Sequence, residues 1–285
     1  MKLIGEKGVQ RILLVTAFSA ISALLLIALF IFHEGIPFII KYGLKDFLFS
    51  SDWNPQAGKY GIFPMIMASL WVTLGAMIVG APLGVAGALF LCEYVPKTVM
   101  KIIKPTIELL AAIPSVVYGF IGVMVLAPII RTYFGGPGLS LLAGSIILGI
   151  MILPTVISIS IDSISAVPQS YREGSYALGA TTWQTIYMVI IKASKSGIIA
   201  SIILGLGRAI GETMAIIMVA GNAVNIPHSV LDSVRTLTAN IALEMSYATG
   251  LHRQALFATG IVLFIVIIIL NSIASVAIRK RVVKA

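Results

Sequence analysis

The stretch Leu204-Gly-Leu-Gly-Arg-Ala-Ile-Gly-Glu-Thr213 places two charges inside an otherwise apolar segment. That segment covers residues 197–221, and Arg208 and Glu212 are its only ionisable side chains. At a helical rise of about 1.5 Å per residue, Arg208 lies about 16 Å from the start of the segment, close to the middle of a membrane's hydrocarbon core. A charge at that depth is costly unless it faces a partner or a water-filled cavity. The i, i+4 spacing predicts that both charges lie on one helix face, at a polar site within the membrane.

The composition assigns the whole chain to the membrane proteins. Hydrophobic residues make up 59% of the 285 residues and charged residues only 11%, with a mean hydropathy of +1.04. A soluble domain carries about 25% charged residues, so the apolar excess is to be buried in lipid. The net charge of +9 comes from basic residues at the ends of the apolar runs, which argues against a nucleic-acid partner. A single cysteine, Cys92, excludes an internal disulfide and a cysteine-based metal site, and we predict no metal ligands.

Six apolar runs are long enough to cross a membrane, so we predict an all-α, polytopic helix bundle that forms one transmembrane domain over residues 1–285. The first run is longer than a signal-peptide core, so we expect it to be retained. If the N-terminus is cytoplasmic, the inside segments hold 13 Lys and Arg residues and the outside segments 6. This asymmetry predicts that both termini are cytoplasmic. The predicted spans are residues 12–32, 62–91, 106–130, 139–161, 197–221 and 255–278.

Glycines mark where these helices approach one another. Gly80 and Gly84 in the second span have the small-xxx-small spacing that lets two membrane helices pack closely. Gly207 and Gly211 repeat the spacing around Arg208. We therefore expect a neighbouring helix to pack tightly at both places.

Prolines fall within three predicted spans and predict bends or breaks there. They are Pro82, Pro114 and Pro154, and each removes a backbone donor from its helix. Ser115 and Tyr118 follow Pro114 closely. Two interpretations stay open for this segment: it lines a passage, or it bends a packed helix.

The loop before the last span has helical spacing of apolar residues over residues 231–248. We interpret it as a surface or re-entrant helix that carries Asn240 and Glu244. His228 and His252 stand alone in this part of the chain, and we expect both to be solvated.

The cytoplasmic loop of residues 162–196 is long for a connection in a compact bundle. Ser170 with Glu173 three residues later has the spacing of a capping box, Gly179 ends the first helix, and Thr182 starts a second. Two short helices joined at a glycine would form a compact projection. Its aromatic and apolar side chains would form a docking surface for a partner, and they are Tyr176, Leu178, Trp183 and Tyr187.

This loop resembles the EAA motif of ABC importer permeases, which runs Glu-Ala-Ala-x3-Gly-x9-Ile-x-Leu-Pro. The corresponding residues here are Glu173-Gly-Ser-x3-Gly179-x9-Val189-x-Ile191-Lys192, and Lys192 stands where the motif has its helix-breaking proline. The resemblance implies that the loop is the coupling helix, seated in a groove of a cytoplasmic ATPase. The residues assigned to this coupling are Glu173, Gly174, Ser175, Ala177, Leu178, Gly179 and Trp183.

Further resemblance comes from four stretches: Gly61-Ile-Phe-Pro64, Ile113-Pro-Ser-Val-Val-Tyr-Gly-Phe120, Gly205-Leu-Gly-Arg-Ala-Ile-Gly-Glu-Thr-Met214 and Leu237-Thr-Ala-Asn-Ile-Ala-Leu-Glu-Met245. They are similar to the phosphate-specific permeases of the Pst system. The last of them, with Gly250-Leu-His-Arg-Gln-Ala255, is similar to the PstC subunit rather than its paralogue PstA. The resemblance implies a type I ABC importer permease of MetI-like architecture in the prokaryotic inner membrane. It also implies the partners of such an importer: a second, PstA-type permease, a PstB-type ATPase dimer and a PstS-type phosphate-binding protein.

Transport energy is expected to come from the partner, because the sequence has no Gly-x4-Gly-Lys-Ser/Thr phosphate loop and no nucleophile–base pair. We therefore predict no enzymatic site and no cofactor, with ATP bound by the ATPase subunits. Our hypothesis is that Arg208 contacts phosphate and that Glu212 holds Arg208 when the site is empty. The alternative is a purely structural ion pair. The candidates for the substrate pathway are Arg208, Glu212, Thr213, Ser115 and Asn240.

Three alternatives stay open at this point. One is an ABC permease for another oxyanion, such as molybdate or sulfate, and another is the paralogous PstA subunit. The third is a secondary transporter or channel that uses the midplane charges as an ion relay, which would leave the cytoplasmic loop unexplained.

Overall fold

The computed structural model describes the backbone of residues 6–282 and the side chains of residues 8–275. Most of these residues are helical, as expected of a chain that must satisfy its backbone hydrogen bonds inside lipid. The helices are α1 (Glu6–Tyr42), α2 (Leu44–Phe49), α3 (Phe63–Glu93), α4 (Lys97–Ala111), α5 (Ser115–Ile121), α6 (Ala127–Phe134), α7 (Leu141–Ser165), α8 (Gln169–Ala177), α9 (Thr182–Gln184), α10 (Ile191–Ala193), α11 (Lys195–Gly211), α12 (Met214–Val219), α13 (Leu237–Glu244) and α14 (Gly250–Val282).

Shorter elements complete the chain. A two-stranded antiparallel hairpin of β1 (Trp53–Asn54) and β2 (Lys59–Tyr60) pairs Trp53 with Tyr60. A π-helical turn, Gly122–Leu126, joins α5 to α6, and another, Thr185–Ile190, joins α9 to α10.

Five helical segments of the described residues are each long and apolar enough to cross a membrane. A sixth crossing results if the bent pair of Thr182–Ala193 and Lys195–Gly211, which meet at 70°, counts as one span. This sharp bend occurs at Ser194 although Lys192 occupies the proline position of the motif. The five segments are Gly8–Tyr42, Phe63–Glu93, Ser115–Phe134, Leu141–Ser165 and Gly250–Ser275.

The third span begins later than residues 106–130 predict, because the chain breaks between α4 and α5. Pro114 has no backbone N–H and disfavours a helical residue before it, so α4 ends at Ala111 and α5 starts at Ser115. Residues 97–111 therefore form a separate helix. By contrast, α3 and α7 continue through Pro82 and Pro154, so of the predicted bends or breaks no break occurs at these two prolines.

The fifth predicted span is also divided, and this changes the geometry of its two charges. The helix α11 ends at Gly211, Glu212 is extended with ψ 133°, and α12 starts at Met214. The Thr238 hydroxyl donates to the carbonyl oxygen of Glu212 at 2.9 Å, which satisfies a group that the break would otherwise leave open. Arg208 and Glu212 therefore do not share one helix face.

The core is built around the contact of α3 with α7. An added Cβ at Gly80 would lie 2.6 Å from the carbonyl oxygen of Gly149, and one at Gly84 would lie 2.7 Å from Val156. These glycines allow the close backbone approach that membrane helices need. No other helix of this chain makes such a contact at Gly207 or Gly211, since no described atom outside their own helix lies within 4 Å of an added Cβ at either.

The first helix stands apart from this core. Its side chains pack mainly on α14, with edge-to-face contacts of Phe30 with Phe257 and Phe32 with Phe264. Most of its other apolar side chains are exposed. Within the described residues, α1 therefore presents an apolar face to lipid or to a partner.

Replacing Gly80 by Ala tests the role of the α3–α7 contact. The new methyl group collides with Gly149 and Ile152, and overpacking of this kind costs about 1–3 kcal/mol. The matched control is Gly87→Ala on the same helix, where the nearest atom is 3.6 Å away. We expect a lower thermal unfolding midpoint in detergent for Gly80→Ala than for Gly87→Ala. Equal midpoints would contradict the tight contact.

Candidate functional site

Arg208 lies at the junction of two helices. It belongs to the last turn of α11, thirteen residues and about 20 Å of helix beyond Lys195. Its Nη2 donates to the carbonyl oxygen of Ala111 at 3.5 Å, and Ala111 is the last residue of α4. The C-terminal end of a helix carries a partial negative charge, so α4 attracts this guanidinium without a carboxylate.

The predicted pair of Arg208 with Glu212 does not form. Among the described side chains, no carboxylate oxygen lies within 4.0 Å of the Arg208 guanidinium. Glu212 instead turns toward α12, where its Oε1 accepts from the backbone N–H of Ala215 at 3.2 Å. The cause is the end of α11 at Gly211, which takes Glu212 out of the helical register on which the prediction depended.

Thr213 and Ser115 lie at the two helix breaks around Arg208. Thr213 follows Arg208 by five residues, and Ser115 follows Ala111, the acceptor of Arg208, by four. The Thr213 hydroxyl donates to the carbonyl oxygen of Gly211 at 3.3 Å, at the break itself. Ser115 is the first residue of α5, four residues after Ala111. The Tyr118 hydroxyl donates to the carbonyl oxygen of Leu110 at 3.0 Å, which fixes the corner between α4 and α5. Both halves of the broken third span therefore meet beside Arg208.

Asn240 belongs to a different group, the hairpin cluster, which consists of Trp53, Arg235, Asn240, Glu244 and His252. Glu244 is its centre: its carboxylate accepts from Arg235 Nη1 at 2.7 Å, Trp53 Nε1 at 2.9 Å and His252 Nε2 at 2.8 Å. Asn240 is fully buried, and its Oδ1 accepts from Arg235 at 3.1 Å. The cluster joins the hairpin to α13 and to the start of α14.

Sequence reasoning missed this cluster. His252 was expected to be solvated, but its side chain is only 14% exposed and bonds to Glu244. Trp53 and Glu244 are 191 residues apart, so no spacing in the sequence brings them together. The sequence feature that could have indicated the cluster was the pair of opposite charges Arg235 and Glu244, nine residues apart around a short helix.

Replacing Glu244 by Gln removes the charge that Arg235 and His252 share. Because the carboxylate is only 9% exposed, Arg235 would keep a poorly hydrated charge with neutral acceptors only, and breaking a buried ion pair costs about 3–5 kcal/mol. We expect a clearly lower thermal unfolding midpoint in detergent. The control is Asp52→Asn, which removes an exposed ion pair with Lys59 and should change the midpoint little. A Glu244→Gln midpoint equal to that of the control would be inconsistent with this role.

The loop between α7 and α11 forms a projecting surface. Leu178 is 90% exposed, and the Trp183 and Tyr187 rings, also exposed, stack with centroids 6.4 Å apart. Glu173, Gly174 and Ala177 are exposed on α8 as well. We define the docking surface as the four exposed aromatic and apolar side chains Tyr176, Leu178, Trp183 and Tyr187.

The turn between the two short helices follows the sequence in part. Gly179 has φ +82°, a conformation that favours glycine, and it ends α8 as predicted. The predicted cap at Ser170 was wrong, because α8 starts after Pro168 and has no side-chain cap. The capping box is instead formed by Thr181 and Gln184 at the start of α9. The Ser175 hydroxyl lies 2.9 Å from that of the buried Thr185, which connects α8 to the second helical segment.

Comparison with known proteins identifies the family. Residues 80–284 match the family of binding-protein-dependent transport system inner membrane components. The chain belongs to this family. It is therefore a multi-pass component of the inner membrane, with several helices of membrane-crossing length.

Relatives from several organisms agree with this assignment. The chain is 43% identical over 263 residues to a probable ABC transporter permease protein, YqgH, of Bacillus subtilis, covering 90% of this chain and 85% of that protein. It is 37% identical over 250 residues to the phosphate transport system permease protein PstC of Mesorhizobium japonicum, covering 80% and 76%. PstC of Pasteurella multocida is 33% identical over 255 residues, with 82% and 80% covered.

A solved structure supports the fold. The MetNI methionine ABC transporter in an inward-facing conformation contains a chain that superimposes with a TM-score of 0.62 at 15% identity. The match covers 80% of this chain and 99% of that one. The helix bundle therefore has the MetI-like permease architecture that the resemblance implied.

Proposed function

We propose that the protein is a permease subunit of an ATP-driven phosphate importer and forms half of its translocation pathway. The PstC relatives support phosphate as the substrate, because two of them match about four fifths of this chain. The observation that carries the proposal is the state of Arg208. Its guanidinium is held beside the end of α4 and makes no ion pair with a described carboxylate, which leaves its charge available to an anion.

Arginine suits phosphate for chemical reasons. The planar guanidinium can bind two phosphate oxygens at once and stays charged at every physiological pH. Thr213, five residues after Arg208, and Ser115, four residues after Ala111, would offer hydroxyl donors. Glu212, by capping α12 rather than pairing with Arg208, keeps its own charge from neutralising the site. This replaces the hypothesis that phosphate and Glu212 compete for Arg208.

The energy for transport is proposed to come from partner ATPases that bind ATP, so this chain needs no cofactor of its own. The docking surface supports this, because exposed aromatic and apolar side chains are typical of the central part of a protein interface. A PstB-type ATPase dimer would bind there, and a PstA-type permease would supply the other half of the pathway. A PstS-type protein would deliver phosphate from outside. The excess of Lys and Arg in the segments on the side of the docking surface supports cytoplasmic termini.

Replacing Arg208 by Gln tests the substrate site. Loss of a charged hydrogen-bond donor costs about 1.5–3 kcal/mol, so we expect phosphate uptake by the reconstituted complex to fall at least about tenfold. Arg208→Lys keeps the charge but loses the planar fork, and we expect an intermediate rate. Uptake is normalised to the assembled complex measured by size-exclusion chromatography. Wild-type uptake by an assembled Arg208→Gln complex would contradict the substrate role.

The same assay separates the competing functions. Uptake that needs no ATPase would favour a secondary transporter. Competition by sulfate or molybdate as strong as that by unlabelled phosphate would favour another oxyanion.

Replacing Leu178 by Asp tests the docking surface. The side chain is almost fully exposed, so the substitution should leave the folded permease intact while it places a charge in an apolar interface. We expect binding of the ATPase, measured by titration in detergent, to weaken at least about tenfold, as for loss of an interface hot spot. Val230→Asp, at another exposed apolar residue, is the control and should change nothing. Unchanged affinity for Leu178→Asp would exclude the surface as the docking site.

A further inference from the structure

The helix α8, at the docking surface, has no buried residue and packs against the segment Thr185–Ile190. Among the described residues, two of its side chains make hydrogen bonds that leave the helix: Ser175 bonds to Thr185, and Arg172 bonds to Glu93 and to the carbonyl oxygen of Val167. These two side chains are the polar contacts through which a movement of α8 would reach the rest of the protein.

The contact of Arg172 with Glu93 is the stronger of the two. Arg172 Nη2 lies 2.7 Å from Oε1 of Glu93, and Nε lies 3.5 Å from Oε2. The Arg172 and Glu93 side chains are only 14% and 6% exposed. Shielding from water strengthens the attraction, and two contacts from one guanidinium fix the orientation of both side chains. This ion pair therefore resists separation better than an exposed pair would.

Glu93 is linked to Arg208 through the helix α4. It is the last residue of α3, and α4 starts at Lys97 after a three-residue connection. As a helix of 15 residues, α4 is a rod about 22 Å long, and the carbonyl oxygen of Ala111 at its far end accepts from Arg208. The ion pair thus connects α8 to the acceptor that holds the Arg208 guanidinium.

The other contact leads to Arg208 by a different route. Thr185 starts the π-helical turn within the segment Thr182–Ala193, which bends into α11, and α11 carries the backbone of Arg208. One route therefore moves the backbone of Arg208, and the other moves the hydrogen-bond partner of its side chain.

We propose that Glu93 and Arg172 are positioning residues for transport: their ion pair makes α4 follow α8, so that both helices around Arg208 move together. Without it, a movement of α8 would pull α11 alone and separate the guanidinium from the end of α4. ATP hydrolysis would then continue with less phosphate moved for each ATP. The inference rests on the proposed function, since it assumes that a partner ATPase moves α8.

The test uses the full importer in proteoliposomes, with ATP hydrolysis and phosphate uptake measured in the same sample. For Glu93→Gln and Arg172→Gln we expect the phosphate transported per ATP to fall at least about fivefold, the lower end for coupling between two sites. The exchange Glu93→Arg with Arg172→Glu should restore the ratio. Arg172→Lys keeps the charge and should give an intermediate ratio. If the neutral variants assemble poorly, the ratio of this variant still tests the inference.

A merely structural role gives a different result. Uptake and ATP hydrolysis would then fall together with the amount of assembled complex, and their ratio would stay at the wild-type value, which would overturn the inference. Asp52→Asn, which removes the exposed pair with Lys59, is the control and should leave the ratio unchanged. If the wild-type complex moves no phosphate, the proposed function is wrong. If it does and Glu93→Gln keeps the wild-type ratio, only the inference fails.

Discussion

The break after Gly211 is the constraint on which the arrangement of charges depends. Lipid cannot satisfy the backbone groups that a broken helix exposes, so the protein must do so. Thr238 donates to the carbonyl oxygen of Glu212, and the Glu212 carboxylate accepts from the N–H of Ala215. These two hydrogen bonds satisfy backbone groups at the break between α11 and α12. As a result, Arg208 lies in a last helical turn and Glu212 is engaged elsewhere.

The sequence predicted the apolar runs but could not locate the breaks within them. Pro82 and Pro154 lie within continuous helices, whereas the chain breaks beside Pro114. The difference lies in the surroundings. Near Pro114, the carbonyl oxygens at the end of α4 accept hydrogen bonds from the Tyr118 hydroxyl and from Arg208. A helix can end inside a membrane protein where such donors arrive from other segments, and local spacing does not reveal them.

The cytoplasmic loop and the hairpin cluster show that the sequence reveals contiguous motifs but not contacts between distant residues. The loop was recognisable because the glutamate, the glycine and their spacing are contiguous in the chain, and Gly179 does adopt the positive φ that ends α8. The hairpin cluster depends on Trp53 meeting Glu244 across 191 residues. Its histidine looked solvated because nothing near it in sequence is an obvious partner. Contacts made only by the tertiary fold were beyond the reach of spacing arguments.

The role proposed for Arg208 needs a cation that binds an anion and later releases it, and the end of α4 is a suitable partner for such a cation. A carboxylate beside it would form a strong pair at this depth, and a substrate would have to displace that charge. The end of a helix carries only about half an elementary charge, and its attraction for a cation is about 0.3–1 kcal/mol, up to about 2 when partly buried. That is enough to orient the guanidinium and too little to neutralise it. Since α4 supplies this partial charge, the guanidinium keeps its orientation only as long as α4 and α11 move together, which is the role proposed for the pair of Glu93 and Arg172.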